Sequence, residues 1–233
     1  MSFLHIGGRD RQRLVQVVAA AFAAVVLLTA CSADGKAFES IRGGAENAER
    51  VRSYESWGDL IALAKSGGRS DGGGRIADPI DAAVLGDVID VEEGRSFKWD
   101  VGPEGSELRL ETEFGSSDAM ISTYHLTVKV STVIGPTDAK DAAGSSMLIG
   151  LAVDSDVTLK DVESDFSSIT GAVFFVSKSP VFDYDSRLFA IVEDGALMAV
   201  PADDGSLTFP LLAASDSVQP PGKTRASDLK GRD

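Results

Sequence analysis

Residues 97–101 read FKWDV, residues 107–114 read ELRLETEF and residues 123–130 read TYHLTVKV. In each stretch the apolar side chains fall on every second position: Phe97, Trp99 and Val101; Leu108, Leu110 and Phe114; Tyr124, Leu126, Val128 and Val130. Successive side chains of a strand point to opposite faces, so a period of two marks strands of a sheet that is wet on one side. Upstream, Val84, Leu85, Val88, Ile89 and Val91 read as a first strand that ends at Glu92-Glu93-Gly94. Downstream, residues 147–153 and 172–176 are nearly continuous apolar runs, suited to the centre of a core. Residues 188–192 and 196–200 flank Glu193-Asp194-Gly195 and read as a hairpin turning on Asp-Gly, and residues 206–212 make a final strand. About eight or nine short strands separated by turns predict an all-β fold, either a single OB-like β-barrel or a β-sandwich.

Around that β-domain, placed at residues 53–212, the pattern changes. Ser56-Trp57-Gly58-Asp59 has the S-x-x-D form of a capping box ahead of an apolar run, with Gly67 and Gly68 as the stop. One short amphipathic helix is therefore expected there, with Tyr54, Trp57, Leu60, Ile61 and Ala64 on its inner face. Residues 66–75 form a glycine loop that matches neither phosphate-binding pattern. Residues 31–52 carry no apolar stripe and read as a flexible tether, and residues 213–233 read as a disordered tail.

The N-terminus has the three parts of an export signal. Arg9, Arg11 and Arg13 precede a 15-residue apolar run at 14–28, broken only by Gln16. A spanning helix needs about 20 apolar residues, so the run is short for a permanent anchor and suits a signal peptide over residues 1–30. It ends in Leu28-Thr29-Ala30-Cys31, which resembles the lipobox of bacterial lipoproteins. The resemblance covers about the first 32 residues and implies cleavage between Ala30 and Cys31 and a diacylglyceryl group on Cys31. Two acyl chains give stable anchoring where one is marginal. The expected location is the extracytoplasmic face of the cell membrane. Abundant Ala, Gly, Asp and Val with few Lys resembles the composition of a high-GC, actinobacterial protein.

A second resemblance lies in the mature chain. Residues 82–92 (AAVLGDVIDVE) and 126–135 (LTVKVSTVIG), with a late hairpin ending near Asp-Gly, are similar to exported bacterial domains of unknown function and to netrin-like modules. It spans roughly residues 82–200 and implies an OB-type barrel. Netrin-like inhibitors are disulfide-stapled and act through an N-terminal cysteine, so no inhibitory residue is carried over.

Composition narrows the chemistry. Cys31 is the only cysteine, so the fold rests on its core and not on disulfides. Without the three arginines and one aspartate of the signal, 19 basic and 35 acidic residues remain, a net charge of −16. So acidic a surface repels nucleic acid and anionic headgroups, and neither is expected as a partner. His125 is the one histidine of the mature chain, and the alternation puts it on the polar, solvent-facing side of its strand. G-x-S-x-G, H-E-x-x-H and C-x-x-C are absent, and an S-x-x-K match at Ser227–Lys230 falls in the tail. Both tryptophans lie on apolar faces, which predicts core packing.

Asp154 with Asp156, and Asp183 with Asp185, share a D-x-D spacing that oxygen-seeking Ca²⁺ uses. As EF-hand loops the first fails at Leu159 and Asp165, the second at Leu188 and Asp194. Solvated turns are the expected reading, with no cofactor and Ca²⁺ as the alternative. The leading functional expectation is a membrane-anchored, non-enzymatic envelope lipoprotein that binds a protein or small ligand. The alternatives are a carboxylate- or metal-dependent hydrolase, and a small-ligand carrier with a barrel cavity. An exposed apolar patch would favour the binding module, convergent carboxylates the hydrolase and a wide apolar cavity the carrier.

Overall fold

The computed structural model describes residues 35–47, 56–67, 80–102, 107–193, 195–212 and 224–229. The signal segment, Ala30, Cys31, most of the glycine loop and residues 213–223 and 230–233 lie outside the described residues.

One long strand organises the rest. β1 (Ala82–Val101) does not end at Glu92-Glu93-Gly94 as expected but runs on through it. It pairs antiparallel with β3 (Ile121–Ile134) from Ala83 to Phe97, with register shifts at three places, one of them between Glu93 and Ser96. Gly94 makes this passage possible: a Cβ there would lie 2.6 Å from Thr123 Oγ1 and 2.8 Å from His125 Nε2. The turn signal thus became an irregularity that bends one strand. β1 also pairs with β2 (Glu107–Thr112) at its far end and with β5 (Ala172–Ser177) at its start.

From β3 the ladder continues antiparallel to β4 (Ser146–Asp154), then parallel to β6 (Phe189–Ile191), which pairs antiparallel with β5. The pairings β1–β3–β4–β6–β5 therefore return to β1. β7 (Met198–Pro201), β8 (Ser206–Thr208) and β9 (Thr224–Arg225) complete a mixed nine-stranded sheet, and the domain is all-β with a few short helices. The expected hairpin at Asp194-Gly195 is corrected. Val192 and Leu197 do join by a backbone hydrogen bond of 3.1 Å, but β6 and β7 pair with β5 in succession, not with each other. Phe175 spans the break: its N–H donates to the Leu197 carbonyl and its carbonyl accepts from Val192 N–H.

The inward residues of β3 and β4 (Tyr124, Leu126, Val128; Met147, Ile149, Leu151, Val153) share one core with β5, which is buried along its whole length. Five helices surround it among the described residues. α2 (Trp57–Ser66) is the expected amphipathic helix, with Ser56 capping Asp59 N–H and Gly67 closing it at φ 61°. Its Trp57 packs on Phe209 and Phe175, at 5.0 and 6.0 Å between centroids.

The tether expectation fails at α1 (Lys36–Asn47), where Ala37, Phe38 and Ile41 are buried. Phe38 meets Phe166 of α4 (Leu159–Phe166) edge-on at 4.9 Å. The N–H groups of Ala37 and Phe38 donate to Asp165, so a carboxylate from α4 caps α1. A Cβ on Gly35 would overlap that carboxylate at 1.8 Å. α3 (Thr137–Ala143) follows β3, and α5 (Ala226–Leu229) buries Leu229 within the segment expected to be a tail.

Candidate functional site

The face of β3 that points away from the core carries Ile121, Thr123 and His125. Across from Thr123 and His125, β4 presents only Ala152 and Gly150. These small side chains leave room for residues 179–188, which cross the face as a 3₁₀ turn (Pro180–Phe182) and the loop after it. A Cβ on Gly150 would lie 2.3 Å from the Phe182 ring, so the absence of a side chain there admits the aromatic ring. Lys178 ties down the far end of the crossing. Its Nζ donates to the carbonyls of Ser186 and Leu188 at 2.5 and 2.9 Å and sits 3.7 Å from the Phe189 ring centre.

Tyr184 is the hub. Its ring stacks on His125 at 5.9 Å and touches Phe97 and Phe182, and the Arg95 guanidinium lies 4.5 Å from its centre. Its hydroxyl is 3.0 Å from Thr123 Oγ1 and 2.9 Å from His125 Nε2. Proton counting orients this network. The Thr123 hydroxyl donates to the Arg95 carbonyl and its oxygen accepts from Arg95 N–H. Thr123 then has one acceptor site for the Tyr184 hydroxyl, which leaves His125 Nε2–H to donate to the Tyr184 oxygen. The hydroxyls of Thr123 and Tyr184 each thereby donate once and accept from a named partner. Burial pushes the His125 imidazole below its usual value, against the opposing pull of Asp185 and Glu92, and raises the Tyr184 phenol.

His125 is therefore half-buried under Tyr184, not solvent-facing as expected. A charged rim surrounds the pair: Arg95 with Glu111, Arg109 with Asp183 at 3.1 Å, and Arg187 with Asp185 at 2.6 Å. Asp185 is held well below the usual carboxylate range by the hydrogen bonds from Arg187. The four aspartates singled out as calcium candidates are thus dispersed. Asp183 and Asp185 each face an arginine, Asp156 pairs with Lys36 at 3.1 Å, and Asp154 N–H is bonded to Ser40 Oγ at 2.8 Å. Among the described residues no three His, Cys, Asp or Glu side chains gather into a group that could hold a metal ion.

Beside the clasp the surface turns apolar. Trp99, expected in the core, is 42% exposed, and Val101 is 79% exposed. Both share a face with Phe97 and with Arg109, which pairs with Trp99 in register and lies 4.7 Å from the Phe97 ring centre. The physical reason is the register itself. Trp99 stands opposite Arg109, so the apolar positions of β1 and β2 fall on opposite faces of the hairpin, and neither face closes. On the other side of the clasp lies a pocket of about 110 Å³ lined by Gly150, Ser177, Ser179, Phe182 and Glu193. Ligand sites for drug-sized molecules run to roughly 300 Å³ or more, and this pocket falls below that.

The alternation of the sequence located Phe97, Thr123 and His125 but not Tyr184, which is 59 residues from its hydrogen-bonding partner His125. Comparison with known protein families, with curated proteins and with solved structures finds no match.

Proposed function

We propose that the protein is a lipid-anchored envelope lipoprotein whose domain is an OB-type barrel serving as a non-enzymatic docking module for an envelope protein. The barrel reading is supported by the return of the strand pairings to β1, with β4 and β6 parallel and α4 between β4 and β5. In OB-folds the outer face of the second and third strands, with the loop between the fourth and fifth, takes the ligand. Here those are β3, β4 and residues 178–188, the clasp described above.

The observation that carries the docking role is the exposed pair Trp99 and Val101 beside Arg109. Exposed aromatic and arginine side chains are the groups that dominate protein–protein contacts. The hydrolase alternative needs an available acid or base; His125 is bonded to Tyr184, and Asp183 and Asp185 are paired with arginines. The carrier alternative calls for a wide apolar cavity, whereas the pocket beside Phe182 holds about 110 Å³.

Anchoring through Cys31 gains a geometric consequence from α1. Only Ser32, Ala33 and Asp34 separate Cys31 from Gly35. Four extended residues reach about 14 Å, so the lipid holds the start of α1 near the bilayer instead of on a long tether. The test is labelling of the full chain in cells with a fatty acid. Wild type incorporates label and is processed, and Cys31→Ala does neither. Equal labelling of the variant sinks the anchor, and retention of a partner by Trp99→Ala/Val101→Ala at wild-type strength sinks the docking face.

A further inference from the structure

The free edge of the same hairpin carries a second surface, which goes beyond the docking face. β2 pairs with β1 along one edge, and among the described residues no strand pairs with its other edge. Such an edge presents a row of backbone N–H and C=O groups that another strand can complete. Leu108 and Leu110, 42% and 38% exposed, stand on the face turned away from Trp99 and Arg109.

We propose that β2 joins two copies of this chain edge to edge, antiparallel, about a two-fold axis that passes through Leu110. The sequence of the strand, E-L-R-L-E-T, is complementary to itself in that register. Leu110 meets Leu110 of the second copy, and Leu108 meets Thr112. Arg109 meets Glu111 of the second copy, and Glu111 meets its Arg109. A two-fold contact must match each residue to its reciprocal, and this register does so for every charge from 108 to 112.

The neighbouring registers fail on elementary grounds. An axis at Arg109 sets two guanidinium groups opposite one another. An axis at Glu111 opposes two carboxylates. A half-step between Arg109 and Leu110 turns the leucines of one copy toward the charged face of the other, because a one-residue slip inverts every side chain. An axis at Leu108 keeps a Glu–Arg match but pairs only residues 107–109 within the strand.

In the favoured register the intramolecular pairs are extended instead of broken. Asp183–Arg109 of one copy and Glu111–Arg95 of the other become a single ladder of alternating charge across the junction. On the reverse face four leucine side chains come together, two from each copy.

The charge pattern supplies a test that a merely damaged strand does not mimic. In the full-length chain in detergent, followed by sedimentation, wild type self-associates. Arg109→Glu and Glu111→Arg each weaken that association at least about tenfold, since each opposes like charges twice. Mixed one to one, the two variants associate again. The glutamate introduced in one copy then faces the arginine introduced in the other, and the native Arg109 and Glu111 that remain face each other. Circular dichroism melts establish that each variant is folded before mixing. Backbone hydrogen exchange at 108–112 slows as protein concentration rises. A wild type that stays monomeric, single variants that associate like wild type, or folded variants that fail to combine on mixing would each overturn the proposal. Trp99 shares a face with Arg109, so Trp99→Ala separates the two surfaces: it leaves self-association at wild-type strength, and a loss of self-association as large as that of Arg109→Glu would also overturn the proposal.

Discussion

The two halves of β1 put their apolar residues to opposite uses. From Ala83 to Gly86 the strand is paired on both edges, with β3 and with β5, and its side chains are buried on both faces. From Phe97 to Val101 it is paired with β2, and Trp99 and Val101 face solvent. What separates the halves is the company each edge keeps: β5 brings a buried strand to the first half, whereas β2 brings a charged one to the second. Burial follows the partner, and an apolar residue on a strand becomes core only when another apolar surface covers it.

The comparison can be broken most sharply at Leu85 and Val101. Leu85→Ala removes buried methylenes from the doubly paired half and is expected to cost about 3 kcal/mol. For a domain of this size that lowers the melting midpoint by roughly 10 °C. Val101→Ala, in the exposed half, is expected to stay within about 0.5 kcal/mol of wild type. Similar losses from the two substitutions, read in thermal or urea melts, would erase the distinction.

Gly150 tests the clasp that covers β3 and β4. Gly150→Ala puts a methyl group into the Phe182 ring and is expected to cost about 2 kcal/mol. Phe182→Leu in the same chain should recover part of that loss, giving a non-additive double-mutant cycle. Additive losses would mean that Phe182 does not sit on Gly150.

The smallest expected effect is a pH dependence at His125. Its folded pKa lies below the value of about 6.5 for a free imidazole, so the unfolded chain binds the additional proton first. The stability that His125 contributes is complete above about pH 6.5 and is lost as pH falls through the folded value. His125→Gln should flatten that part of a stability–pH curve, and NMR titration of the imidazole should place its midpoint below 6.5. A midpoint above 6.5 would remove the buried Tyr184 contact from the account.

Much of this architecture is legible in the alternation, and α2 in its capping box. The omissions have physical causes. Thr158-Leu159-Lys160-Asp161 offers a T-x-x-D form like the one that marks α2, but its acidic surroundings read as a loop; the capping box is present in α4. α1 cannot be read locally, because four apolar residues in twelve, two of them alanines, make a thin stripe and its cap is Asp165, 128 residues from Ala37. Alternation sends Trp99 to the core because it shows which residues share a face without showing what covers it. Tyr184 carries no periodic signal, and the glycine that admits its loop, Gly150, looks in sequence like one more small residue in an apolar run.

The central claim is that the Trp99 end of β1 meets a partner while the rest of the strand serves the fold. Ile89, 58% exposed on the same strand, is the natural control. A photo-crosslinking amino acid placed at position 99 or 89 of the full chain in cells reads the claim directly. A discrete adduct from position 99, absent from position 89, is the result expected. No adduct from position 99, or the same adduct from both positions, would contradict it.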